Sequence, residues 1–188
     1  MSLQTLHLEH IPQPHAVHIF AFKDVSNASY LREQLLAGNS DFEYAFIDAS
    51  ALVSTAHALA AVHQAVHNLL VKQKLRTRNV HSEIVFCLSP NNNITESFRR
   101  FGISETTTSL VCVKVSSREN PISAEETEIR LQQAVKGLPA QFNDEFMAQT
   151  TDWAKVAKCY KTRPGSNGVV TEQLELEVLG KMVMRAVG

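Results

Sequence analysis

Four short runs of branched and aromatic residues constrain this chain more than any other feature: Val17 to Phe22, Tyr44 to Ile47, Glu83 to Leu88 and Leu110 to Val115. Each is bounded by polar residues and reads as a strand, and a central sheet is the simplest way to join them. Helical patterns lie between. Ala28 to Ala37 has Ser26 or Asn27 as cap, Leu31 and Leu35 on one face, and Gly38 as stop. Ala56 to Lys72, opened by Ser54 or Thr55, aligns Leu59, Val62, Val66 and Leu69 or Leu70. Alternating strands and helices argue an α/β or α+β fold, a sheet covered by helices. The 188 residues fit one domain, 1–188, without a linker or repeat.

The last third reads as helical. After a polar turn at Ser116 to Pro121, a helix from Ser123 or Ala124 to Lys136 stops at Gly137 with Pro139 behind it. Asp144 to Lys161 holds one or two helices, Arg163 to Gly168 is a break, and Val170 to Ala186 forms a final helix. Its apolar residues, Leu174, Leu176, Val178, Leu179, Met182, Val183, Met184 and Val187, wrap most of the circumference. One domain face cannot bury all of them, so part of this helix is expected to meet a partner.

Charge and motifs exclude several function classes. A formal net charge of -1 gives no global attraction to phosphate, so any nucleic-acid contact must be a local patch. Three scattered cysteines, Cys87, Cys112 and Cys159, fit a reducing compartment and no disulfide framework. The first ten residues lack the apolar core of a secretory signal and no segment is long enough to span a membrane, so the expected location is nucleus and cytoplasm. No phosphate-binding glycine motif and no G-x-S-x-G occurs. His63 and His67 stand one helical turn apart, but Gln64 occupies the place of the general-base glutamate in a zinc protease helix. A metal-dependent hydrolase using this pair is therefore the weakest alternative; neither a metal nor another cofactor is expected.

The stretch from Lys72 to Ile103, KQKLRTRNVHSEIVFCLSPNNNITESFRRFGI, carries the most information. Lys72, Lys74, Arg76 and Arg78 precede the first acidic residue, Glu83, and Arg99 and Arg100 follow. Two readings stand side by side: cations complementing a helix C-terminus, and a basic patch contacting RNA phosphates. Asn93 and Glu96 match a capping box at the start of a helix ending at Gly102, with Ile94, Phe98 and Phe101 packing inward.

Taken together, Lys74, Arg76, Thr77, Arg78, Asn79, Ser82 and Glu83, then Leu88, Ser89, Pro90, Asn93, Ile94, Phe101, Gly102 and Ile103 resemble the PRPK-binding protein family. That family supplies the kinase-binding accessory subunit of the KEOPS, or EKC, complex, and the similarity is to a fungal member. The resemblance implies a mixed sheet of about four to five strands flanked by helices. It implies a non-catalytic subunit that binds and stimulates a small atypical kinase or ATPase. Through that kinase the subunit would meet, indirectly, the catalytic subunit installing threonylcarbamoyl on an adenosine beside the tRNA anticodon. It would also help recruit tRNA by its 3′ CCA end.

On that basis Lys72, Lys74, Arg76, Arg78, Asn79, Arg99 and Arg100 are the expected tRNA-binding residues. Ser82, Glu83, Asn93, Ile94, Phe101 and Gly102 are motif residues of structural character, and Val178, Leu179, Met182 and Val183 are the expected kinase contact. A stand-alone RNA-binding module is the other alternative.

Overall fold

The computed structural model describes residues 3–6, 15–162 and 172–187. The Arg163 to Gly168 break lies outside these residues. Five strands form one sheet: β1 (Gln4–Leu6), β2 (Ala16–Lys23), β3 (Ala45–Asp48), β4 (Leu110–Ser116) and β5 (Leu138–Ala140). Their order is β1-β2-β4-β3, with β5 pairing β2 beyond β1. Every pairing is antiparallel, which corrects the mixed sheet implied by the resemblance.

Eight α-helices are described: α1 (Ala28–Leu36), α2 (Thr55–Leu70), α3 (Val80–Cys87), α4 (Ile94–Phe101), α5 (Ala124–Ala134), α6 (Asp144–Thr150), α7 (Trp153–Tyr160) and α8 (Glu172–Val187). They cover both faces of the sheet, so β2, β3 and β4 are buried on both sides. Alternation along β2 sends Val17, Ile19 and Ala21 towards the larger core, with α2, α3 and α6 to α8. Phe20 and Phe22 enter a smaller core under α1 and α5, stacked at 4.8 Å.

The largest correction is at Glu83 to Leu88, read as a strand and found inside helix α3 and its cap. All six residues are buried because α3 is wedged between α2, α4 and the sheet. A segment apolar on every side has no periodicity to tell strand from helix. The start signal was nevertheless there. Asn79 is the N-cap, its side chain accepting from the Ser82 amide at 2.8 Å.

At the other helix starts Ser54, Asn93, Ser123, Asn143 and Asp152 each accept an amide in the same way. Asn27 instead ties α1 to the end of α5, donating to the Ala134 carbonyl and accepting from the Lys136 amide. Gly38, at φ +69°, makes the turn that ends α1.

Candidate nucleic-acid interface and partner face

The basic stretch is a loop built around one carboxylate. After α2 ends, the backbone turns through Gln73 at φ +50°, and the Lys74 amide donates to the Asn68 carbonyl at 3.0 Å. Glu83, on the first turn of α3, is fully buried. Its Oε2 accepts from the backbone amides of Arg76 and Thr77, both at 3.0 Å, and from the Thr77 hydroxyl at 2.8 Å. Its Oε1 accepts from the Asn68 amide at 3.1 Å. With its inward donors satisfied on this carboxylate, the loop turns its cations outward.

Lys72, Lys74, Arg76 and Arg78 are exposed, and none has an ion-pair partner among the described residues. Lys72, Lys74 and Arg76 line a cavity of about 190 Å³ with Gln64, Asn68, Phe86, Asn92 and Arg185. Arg78 stands apart. Its guanidinium lies over Gly38, in a neighbouring depression with Asn39, Glu43 and Asn79.

Three expected RNA contacts are committed elsewhere. Asn79 spends its oxygen on capping α3 and donates its amide to Glu43 at 2.7 Å. Arg99 makes two bonds to Glu96, at 2.9 and 2.7 Å, while Arg100 shares the same carboxylate and donates to the Cys159 carbonyl at 3.1 Å. The Arg99 hydrogen bond, helped by Arg100, holds the Glu96 carboxyl below its usual range. Glu96 therefore does not reach back as the third residue of a capping box; two arginines one turn ahead outcompete a single backbone amide.

The motif residues separate by role. Phe101 is fully buried, and Gly102 passes so close that an added Cβ would stand 2.7 Å from the Phe98 carbonyl. Ser82 offers its amide to the α3 cap. Ile94, expected to pack inward, is 41% exposed because it sits at the first position of α4, ahead of the turn that meets the core.

Helix α8 buries one stripe, Leu174, Val178 and Met182, against the larger core, with the half-buried Leu179 beside it. Val178 is 0% exposed and Met182 5%. This corrects the expectation that these two side chains face a partner. The opposite side carries Leu176, Val183, Met184 and Val187, each more than half exposed.

Burial pushes the Cys87 thiol up to about 11, far from thiolate formation at neutral pH. His63 and His67 stack at 6.4 Å on the outer side of α2, and no group of three His, Cys, Asp or Glu side chains among the described residues is arranged to hold a metal ion. Among the described residues no helix is long and apolar enough to cross a membrane.

Sequence reasoning missed Gln64, Asn68, Asn92 and above all Arg185 as neighbours of the basic loop. Arg185 lies more than a hundred residues away and, in sequence, reads only as a cation suited to the last turn of a helix.

A sheet wrapped by helices thus carries an outward apolar stripe on α8 and a basic cavity with no ion-paired carboxylate among the described residues. Residues 22–186 match the family model described as kinase binding protein CGI-121, and the chain belongs to that family. It is 47% identical over 194 residues to the EKC/KEOPS complex subunit cgi121 of Aspergillus terreus, covering 98% of this chain and 97% of the relative. The protein of the same name from Aspergillus fumigatus is 46% identical over 186 residues, with coverage of 98% and 97%. That from Schizosaccharomyces pombe is 31% identical over 150 residues, covering 80% of this chain and 84% of the relative.

Proposed function

We propose that this chain is a non-catalytic subunit of the KEOPS complex, binding and stimulating its small atypical kinase or ATPase through the outer face of α8. The loop after α2 recruits tRNA by its 3′ CCA end for threonylcarbamoyl modification of the adenosine beside the anticodon. The catalytic transferase subunit is then met through the kinase, and the protein works in nucleus and cytoplasm.

The observation that carries the RNA part is the run of four cations with no ion-pair partner among the described residues, held outward by the buried Glu83. Arg99 and Arg100, by contrast, share an ion pair with Glu96 where they stand. Uncompensated cations on a chain of net charge -1 are suited to releasing counterions from a polyanion. For the kinase contact, family membership gives the partner class and the α8 stripe gives an apolar surface left uncovered by the described residues.

The experiment pairs co-purification with RNA titration. Val183→Arg is expected to leave a folded chain that no longer co-purifies with the kinase subunit yet binds tRNA normally. Lys74→Glu with Arg76→Glu is expected to weaken tRNA binding by about tenfold or more at moderate salt while kinase binding persists. Val178→Arg does not test the interface, because its side chain points into the core. Normal kinase recovery with Val183→Arg would move the contact off α8, and unchanged tRNA affinity would refute the loop assignment. Tight RNA binding with no kinase association at all would favour a stand-alone RNA module.

A further inference from the structure

The loop after α2 and helix α8, separate surfaces in the function just proposed, meet at Arg185. This residue sits in the last turn of α8 with its guanidinium 4.4 Å from the centre of the Phe86 ring. Its Nη1 donates to the Phe86 carbonyl at 3.3 Å. Its Nε–H is buried without a hydrogen bond of good geometry, its guanidinium neighbouring the Cys87 thiol, a weak acceptor, and Arg185 has no carboxylate partner among the described residues. The same side chain forms a wall of the cavity lined by Lys72, Lys74 and Arg76.

The simplest structural role, closing the end of α3, accounts for Nη1 and the stacking on Phe86, and leaves Nε with at best the weak Cys87 thiol. It leaves a desolvated donor poorly paired beside three further cations, an arrangement that costs stability unless an anion enters. Stacking on Phe86 fixes the plane of the guanidinium, whose remaining N–H groups can donate to the oxygens of a phosphate at the cavity wall. Asn92 at the cavity wall adds a polar group of the kind that orients such a ligand.

We infer that Arg185 completes a phosphate-binding pocket with Lys72, Lys74 and Arg76, so that one phosphate of a bound RNA is held between the loop and α8. The inference rests on the RNA reading of the loop and adds a residue and a ligand group to it. Phosphate binding also pins the end of α8, the helix assigned to the kinase, against the body of the protein.

The test uses the full chain and three variants, Arg185→Gln, Arg185→Lys and Lys74→Glu, titrated with a single-stranded RNA ending in CCA at several salt concentrations. Arg185→Gln is expected to lose about tenfold in affinity and to lower the slope of log affinity against log salt by about 0.7, the loss of one phosphate contact. Arg185→Lys keeps the charge but not the fork, and falls between wild type and Arg185→Gln. Inorganic phosphate is expected to raise the melting temperature of wild type and not of Arg185→Gln. Protection only by RNA assigns the pocket to a backbone phosphate; protection by both makes it a general phosphate site.

If Arg185→Gln is folded and binds RNA with wild-type affinity and slope while Lys74→Glu is weakened, Arg185 is no ligand and the loop assignment stands. If wild type binds no RNA, or neither substitution has an effect, both assignments fall. Should Arg185→Gln fail to fold, Arg185→Lys decides: wild-type affinity and slope overturn the inference.

Discussion

Two groups of cations lie within thirty residues of one another, and the fold treats them in opposite ways. Arg99 and Arg100 fall one helical turn from Glu96, so the geometry of α4 pairs them at once. Lys72, Lys74, Arg76 and Arg78 sit on a loop whose nearby carboxylate, Glu83, is turned inward and occupied by backbone and side-chain donors. What a basic residue can do is therefore decided by where its nearest acid points, rather than by its place in a count of charges.

The largest expected effect comes from removing that inward acid. Glu83→Ala strands four donors at once and is expected to cost about 3–5 kcal/mol, read as a fall in the urea midpoint. Glu83→Gln keeps the volume and one acceptor and is expected to cost less, about 1–2 kcal/mol. If the loop is what presents the cations, Glu83→Gln also weakens RNA binding although no cation has been touched. Undiminished RNA affinity in a folded Glu83→Gln chain would show that the cations act without the ordered loop, and the contrast with α4 would lose its physical basis.

Acid separates the scaffold from the charges it displays. Burial pushes His57 down to about 3, and burial followed by the charge of Lys114 pushes His81, on α3, down to about 3. Both are neutral in the folded state, whereas in the unfolded chain they take up protons below about 6.5. Between about 3 and 6.5 the unfolded state binds more protons, so stability falls as pH falls through that window. At pH 5 each histidine is expected to remove up to about 2 kcal/mol relative to pH 7. Lysine and arginine remain charged throughout, so RNA binding lost at pH 5 should follow unfolding, measured by circular dichroism on the same samples. Loss of binding from a fully folded chain at pH 5 would point to a titrating group in the site itself.

Legibility in sequence followed the same division between local and distant causes. The helix caps at Ser54, Asn93 and Ser123 and the three long strands could be read because each depends on residues within one turn or one run. Strands β1 and β5 are three residues each and exist only because β2 offers them an edge. The α3 error arose from complete burial, which erases periodicity even though Asn79 and Ser82 announce a helix start. On α8, apolar residues around most of the circumference left its rotation undetermined; contact with the core selects Leu174, Val178 and Met182. The role of Glu83 as loop anchor and the approach of Arg185 to the basic cavity depend on contacts that no local pattern encodes.

The smallest expected effects lie on α4, where they test the comparison most narrowly. Arg100 donates to the carbonyl that ends α7, so Arg100→Ala is expected to cost about 1 kcal/mol through that lost charge-assisted bond. Among the described residues Arg99 bonds only Glu96, and its guanidinium is open to water, so Arg99→Ala should leave the melting temperature nearly unchanged. Its guanidinium is already held by Glu96, so RNA affinity is expected to stay within about twofold of wild type with an unaltered salt slope. Arg76→Ala, an equal change in formal charge, is expected to weaken binding and lower that slope. Equal losses from the two substitutions would mean that RNA senses total charge and not the unpaired loop, and the distinction between these regions would fail.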